Sequence, residues 1–139
     1  MDTLLEAKTI TTATAARFAM GAAGLLPPEL SGSAAEAAAY EQAFSRGWVK
    51  RGPEEAITMK YLAYLLMNVF EIKGGIMYSI FRTPRYAYRE MLYRKIIQGS
   101  ADEGMKVSGH KFLQIISSAL NYTGEREMMD AILISEAGN

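Results

Sequence analysis

The chain contains no cysteine. That removes disulfides, thiol nucleophiles and cysteine-ligated metals, and leaves the compartment open. Its one histidine, His110, has no second imidazole with which to share a metal ion, so neither metal nor cofactor is expected. No apolar run reaches the 18 or so residues that a transmembrane helix needs. Net charge is absent as well: fifteen basic residues balance fifteen acidic ones, and bulk charge points to no partner. No basic stretch precedes an apolar one at the N-terminus, and Asp2 and Glu6 interrupt it, so it does not read as a signal peptide. A chain whose leader had been removed would read the same way. There is no nucleophile with a credible base, no glycine-rich phosphate loop after a strand, and no isolated carboxylate pair on an apolar face. The expectation is a protein that is not an enzyme.

What is present suits one folded domain over residues 1–139. Half the residues are hydrophobic and 22% are charged, a composition that buries a core. Apolar residues recur at helical spacing along most of the chain. Thr11 or Thr12 can cap a first helix carrying Ala15, Phe18, Ala19 and Ala22, which Gly24 and Pro27-Pro28 bring to an end. Ala34–Val49 reads as a second helix, with an apolar stripe at Ala37, Tyr40, Phe44 and Trp48. Thr58 is expected to cap a helix over Met59–Ile72 that is apolar on nearly every face, as a central helix is. Over Lys73–Arg82, Gly74-Gly75 breaks the helix and alternation allows a short strand; an irregular packed connector is preferred, since no second strand is evident. Pro84 suits a first helical turn, and Arg85–Ile97 follows as helix with Tyr88, Met91, Leu92 and Lys95 near one face. Ser108 caps a helix over Gly109–Tyr122. Gly124 is expected to break the chain before a last short helix, Glu125–Glu136.

The pattern repeats. With Thr58 aligned on Ser108, Leu62 falls on Phe112, Leu65 on Ile115, Leu66 on Ile116 and Phe70 on Leu120 without a gap. The first helix fits the same register from Ile10-Thr11. The helices preceding the loops also align: Tyr40 on Tyr88, Phe44 on Leu92, Arg46 on Arg94, and Trp48-Val49 on Ile96-Ile97. Cap positions lie about 47 to 50 residues apart, in the range of helical repeats. The units are then about 9–26 (half), 34–72, 84–122 and 125–136 (half).

Chemistry gathers in Tyr78–Lys95, where five aromatics and five bases accompany one acid, Glu90. Arginine forks grip carboxylates or phosphates, and aromatic faces stack on sugars or bases. Arg82, Arg85, Tyr86 and Arg89 are the candidate ligand-binding residues there. The bland reading makes the tyrosines half core and the arginines solvated surface. Trp48, the only tryptophan, joins the candidates as a stacking platform, with a core plug as its other reading. Asp102-Glu103 lacks the alternating ligands of a calcium loop.

GWVKRG followed by AITMKYLAYLL, and RKIIQG followed by KVSGHKFLQII, resemble the S-layer homology (SLH) domain, and TITTATAARFA is similar to the second half of a third unit. Where that family carries Ile-Thr-Arg-Ala-Glu, the arginine position here holds Thr12, Met59 and Gly109, and the glutamate position Thr14, Tyr61 and Lys111. The resemblance implies an all-α, pseudo-threefold bundle of helix–loop–helix units whose grooves bind cell-wall polysaccharide. EREMMDAILI near the C-terminus aligns with YREMLYRKII, so the last helix is expected to supply the half missing from the first unit and close the array. The implied function is a non-catalytic cell-envelope module that engages an anionic cell-wall glycan or an envelope protein, in the periplasm or at the cell surface. The alternative is a cytoplasmic helical module that binds nucleic acid or a protein partner through the Arg/Tyr stretch.

Overall fold

The computed structural model describes residue 4, residues 6–99 and residues 102–137, apart from some side chains of the fourth and last helices. The fold is all-α. Six helices occur among the described residues: α1 (Thr12–Ala22), α2 (Gly32–Ser45), α3 (Met59–Val69), α4 (Ile76–Ile80), α5 (Pro84–Tyr93) and α6 (Gly109–Ala137).

Local chemistry sets the helix starts. Thr11 Oγ1 accepts from the Thr14 N–H at 3.2 Å, and Ser108 Oγ accepts from the Lys111 N–H at 3.1 Å. Each satisfies a donor that a helix start leaves unpaired. Thr58 occupies the matching place before α3 but makes no such bond, and its buried hydroxyl has no partner among the described residues. Pro84 opens α5, where its missing N–H costs nothing.

The ends of α1, α2, α3 and α5 share one device. In α1 the Leu25 N–H reaches back to the Met20 C=O, and in α2 the Trp48 N–H reaches the Ala43 C=O, each at 2.9 Å. The residue passed over, Gly24 or Gly47, takes a positive φ. This closure satisfies carbonyls that the helix end would otherwise orphan. The helices α3 and α5 close identically through Ile72 to Met67 and Ile96 to Met91, with Glu71 (φ 53°) and Lys95 (φ 62°) in place of glycine.

Three segments just ahead of the caps hydrogen-bond to one another. The Ile57 N–H donates to the Ile10 C=O, and the Ile10 N–H to the Val107 C=O, both at 3.0 Å. Thr12 N–H to Glu55 C=O (2.8 Å) has its counterpart in Met59 N–H to Met105 C=O (2.9 Å). Ala13 to Pro53 likewise has its counterpart in Lys60 to Glu103. These pairs are equivalent when Thr11, Thr58 and Ser108 are aligned. Ile10, Ile57 and Val107 point into the core beneath this junction, all nearly fully buried. Met20, Leu62, Leu65, Leu66, Met91, Phe112 and Ile115 fill the rest of it.

Helix packing joins elements in chain order. α1 lies on α2, α3 on α5, and α1 touches α3. Each of α1 and α3 therefore takes as its partner a helix that comes after it, and α1 is already covered.

Beyond the Thr58 cap, which does not form, four further expectations need correction. Lys73–Arg82 is neither strand nor irregular throughout, because Ile76–Ile80 forms a helical turn. The α2 stripe is displaced: Ala35, Ala39 and Ala43 are buried, while Ala37 is exposed and Phe44 is 58% exposed. Alanines let α2 approach the alanine-rich α1 closely, and Phe44 stacks outside on Tyr40 with ring centroids 5.9 Å apart. Gly124 does not break the chain, since α6 runs through it without a turn. Finally, the described side chains from Glu125 to Ile132 are exposed, so this stretch covers no other helix; the Leu133-Ile134 end of its sequence match lies outside the described side chains.

Candidate functional site

The stretch from Tyr78 to Arg94 is built by α4, a three-residue link and α5. Thr83 accepts from the Tyr86 N–H and starts α5, which turns Ala87, Tyr88 and Met91 inward. Residues four apart share a helix face, so Arg85 and Arg89 emerge exposed on the side away from these anchors, and Arg82, in the link before the cap, is exposed as well.

Glu90 is the one acid in the stretch, and it is engaged elsewhere. Its Oε1 accepts from Arg94 Nε at 2.9 Å and from the Gly75 N–H at 2.7 Å. Arg94 also donates to the Tyr122 hydroxyl, which ties α5 to α6. Arg82, Arg85 and Arg89 therefore have no carboxylate partner among the described residues, whose one ion pair is Arg94–Glu90.

The aromatic part is a short stack. Phe81 and Tyr86 lie with ring centroids 5.6 Å apart and an interplanar angle of 23°. The Arg89 guanidinium sits 5.5 Å from the Tyr86 ring, and Arg82 lies 5.8 Å from Tyr78. Attraction between cation and ring quadrupole holds such pairs at about 0.5–1 kcal/mol when exposed. Tyr86 is half-buried within this stack, whereas Phe81 is 47% exposed and forms its outer ring. Although the sequence pattern singled out Tyr86, Phe81 is thus the more accessible ring of the pair. Its position just outside α5, next to a proline-started helix, was the available signal.

Tyr78 is buried beneath Arg82. Burial raises its pKa above 10.0, Tyr64 adds to the rise, and Arg82 partly opposes it. Tyr88 is raised as well, by burial first and then by the Asp102 and Glu103 carboxylates. Both phenols are neutral at physiological pH.

Trp48 stands apart from this face. It lines a groove of about 550 Å³ with Arg46, Asn68, Phe70, Leu120 and Glu127, where the ends of α1, α2 and α3 meet the middle of α6. None of Arg82, Arg85, Tyr86 and Arg89 borders that groove. Arg46 covers the indole at 4.9 Å, and Trp48 is half-buried against the core. The structure thus brings four of the five candidates together and leaves Trp48 to a second location.

A further cationic–aromatic cluster was not anticipated. Tyr61, at the glutamate position of the SLH pattern, lies 5.0 Å from Arg51 and 5.6 Å from Lys60. His110 is exposed, and no group of three His, Asp or Glu side chains suited to a metal occurs among the described residues. No helix among them is long and apolar enough to cross a membrane.

No protein-family model matches the chain, and no curated protein or solved structure matches it.

Proposed function

We propose that the chain is a non-catalytic cell-envelope module of SLH-like units that binds an anionic cell-wall glycan through the face formed by Phe81, Arg82, Arg85 and Arg89. The observation that carries this reading is the set of three exposed arginines without carboxylate partners beside an exposed ring. Uncompensated guanidinium groups favour carboxylate or phosphate, and a ring at their edge offers the apolar face of a sugar a stacking surface. The start of α5 is the positive end of the helix dipole, which also favours an anion.

The unit architecture draws support from the junction of cap segments. Equivalent residues pair in one register between the first and second cap segments and between the second and third; at the remaining junction the Gly109 N–H bonds to Ala7, one residue away from the equivalent position. Gly109 in place of the family's arginine has a local cause: a Cβ there would lie 1.6 Å from the Leu4 carbonyl oxygen. The N-terminal segment occupies that space, so binding is assigned to the α5 face and not to the family's box positions.

The test is co-sedimentation with cell-wall sacculi, before and after removal of their acidic polysaccharide. Binding that disappears with the polysaccharide, and weakens as salt rises, is expected. Equal binding to stripped sacculi would overturn the glycan reading. Salt-sensitive binding to oligonucleotides but not to sacculi would favour the cytoplasmic alternative.

A further inference from the structure

The helices that follow Thr11, Thr58 and Ser108 differ on one face. With the caps aligned, Ala16 of α1, Ala63 of α3 and Leu113 of α6 are equivalent, as are Met20, Met67 and Ser117. Ala16, Met20, Ala63 and Met67 are essentially fully buried. Leu113 is only half-buried and Ser117 is exposed. The two open positions are four apart, so they lie one above the other on one helix face. Both α1 and α3 have a following helix packed on them, α2 and α5 respectively. At the equivalent positions of α6 the exposure of Leu113 and Ser117 shows no such cover among the described residues. Leu113 instead forms the shared wall of two open grooves of about 530 and 640 Å³.

The helix that would complete the pattern is present in the chain but lies elsewhere. In the register that aligns Tyr40 with Tyr88 and Glu125, the fully buried pair of α2 is Ala39 and Ala43, and that of α5 is Ala87 and Met91. The equivalent residues of the C-terminal arm of α6 are Gly124 and Met128. Gly124 is exposed and Met128 is 67% exposed. The small residue that lets two helices approach and the apolar residue one turn later are therefore both in place and both unused. Met129 and Ile132 extend the exposed apolar face.

The arm cannot reach the open face of its own helix while α6 stays straight. Nine residues separate α1 from α2, and α4 lies within the link between α3 and α5; between the core part of α6 and its arm there is no link at all. Charge favours an encounter between copies. Lys111 and Arg17 border the open grooves, whereas the arm carries exposed Glu125 and Glu127 beside one base, Arg126, and neither glutamate has an ion pair among the described residues.

We infer that the arm Gly124–Ile132 of one chain docks on the Leu113–Ser117 face of α6 in a second copy, and the reverse, giving a reciprocal dimer in which each copy supplies the helix that the other lacks. The relation is isologous, so two arms fill two faces and the assembly closes.

Light scattering over a range of concentrations tests this. The mass of two 15.3 kDa chains is expected for the unaltered protein. Met128→Asp changes an exposed arm residue, and Ser117→Glu places an acid on an exposed position facing the acidic arm, so neither disturbs the core. Each variant alone should shift dissociation to at least tenfold higher concentration. An equimolar mixture should recover dimer, because one intact arm then meets one intact face. A one-chain mass at every concentration overturns the proposal, and so does a dimer indifferent to Met128→Asp. The cysteine-free background allows a second measurement with Ser117→Cys and Met128→Cys in one chain. Disulfide-linked dimers on oxidation support exchange between copies. A link confined to single chains overturns it, since the arm would then bend at Gly124 onto its own helix.

Discussion

Replacing Gly109 by alanine adds one methyl group at the first residue of α6. At most helical positions that change helps, by up to about 1 kcal/mol in a helix interior. Here the new carbon would meet the Leu4 carbonyl oxygen at 1.6 Å and the carbonyl carbon at 2.7 Å. Such contacts do not occur, so the N-terminal segment must move by more than an ångström or detach. Detachment loses the hydrogen bond from the Gly109 N–H to the Ala7 C=O, 2.9 Å long, which is about 0.5–1.5 kcal/mol. It also exposes Leu4, now buried, at about 1.5–3 kcal/mol. After the propensity gain, the net loss is about 1–3.5 kcal/mol, or roughly 3–14 °C in Tm for a domain of this size. Urea melts of Gly109→Ala beside Gly124→Ala read it directly. A Cβ at Gly124 meets nothing within 4 Å, so that variant should gain about 0.5–1 kcal/mol from the same chemical change. If Gly109→Ala is as stable as the parent, the N-terminal segment does not lie against α6.

Phe112→Ala and Leu66→Ala remove fully buried side chains and should cost about 3–5 and 2–5 kcal/mol; losses below about 1 kcal/mol at both sites would refute the core assignment. Lys95→Gly relieves a left-handed backbone at the end of α5 and should stabilise by about 1 kcal/mol in the same melts. Glu90→Ala removes the shared acceptor of Arg94 and the Gly75 N–H, with an expected loss of about 1.5–3 kcal/mol. Because the Tyr78 and Tyr88 pKa values are raised on folding, the unfolded chain loses these protons first. Their contribution is then intact below pH 10 and declines as pH rises above it. Tyr78→Phe should flatten that alkaline decline, and an unchanged pH profile would argue against a buried phenol.

The helix starts were legible because capping is a local matter: Thr11, Ser108 and Pro84 act on backbone groups within three residues. Burial of Leu66 and Phe112 was legible from period alone. The displaced stripe of α2 was not, since hydrophobicity ranks Tyr40 and Phe44 above alanine, while close approach to α1 admits only small side chains. Gly124 misled for a related reason. Its tendency to end a helix is worth about 1 kcal/mol and yields to helical residues on either side. The charge excess near α5 was visible as composition, but sequence could not show that Glu90 is committed to Arg94 and Gly75. That commitment is what leaves three arginines uncompensated. Trp48 was a separate candidate, and linear order does not reveal that the end of α2 and the start of α5 face different neighbours.

The most direct test of the binding assignment is titration calorimetry with an acidic polysaccharide released from cell walls, comparing the parent with Arg85→Ala plus Arg89→Ala. Both side chains are exposed and neither forms an ion pair among the described residues, so circular dichroism and melting should be unchanged. Affinity at least tenfold weaker in the double variant is the expected result, since hydrogen bonds to charged groups contribute about 1.5–3 kcal/mol each. Equal affinity in the two proteins would contradict the assignment and leave the arginines as solvated surface.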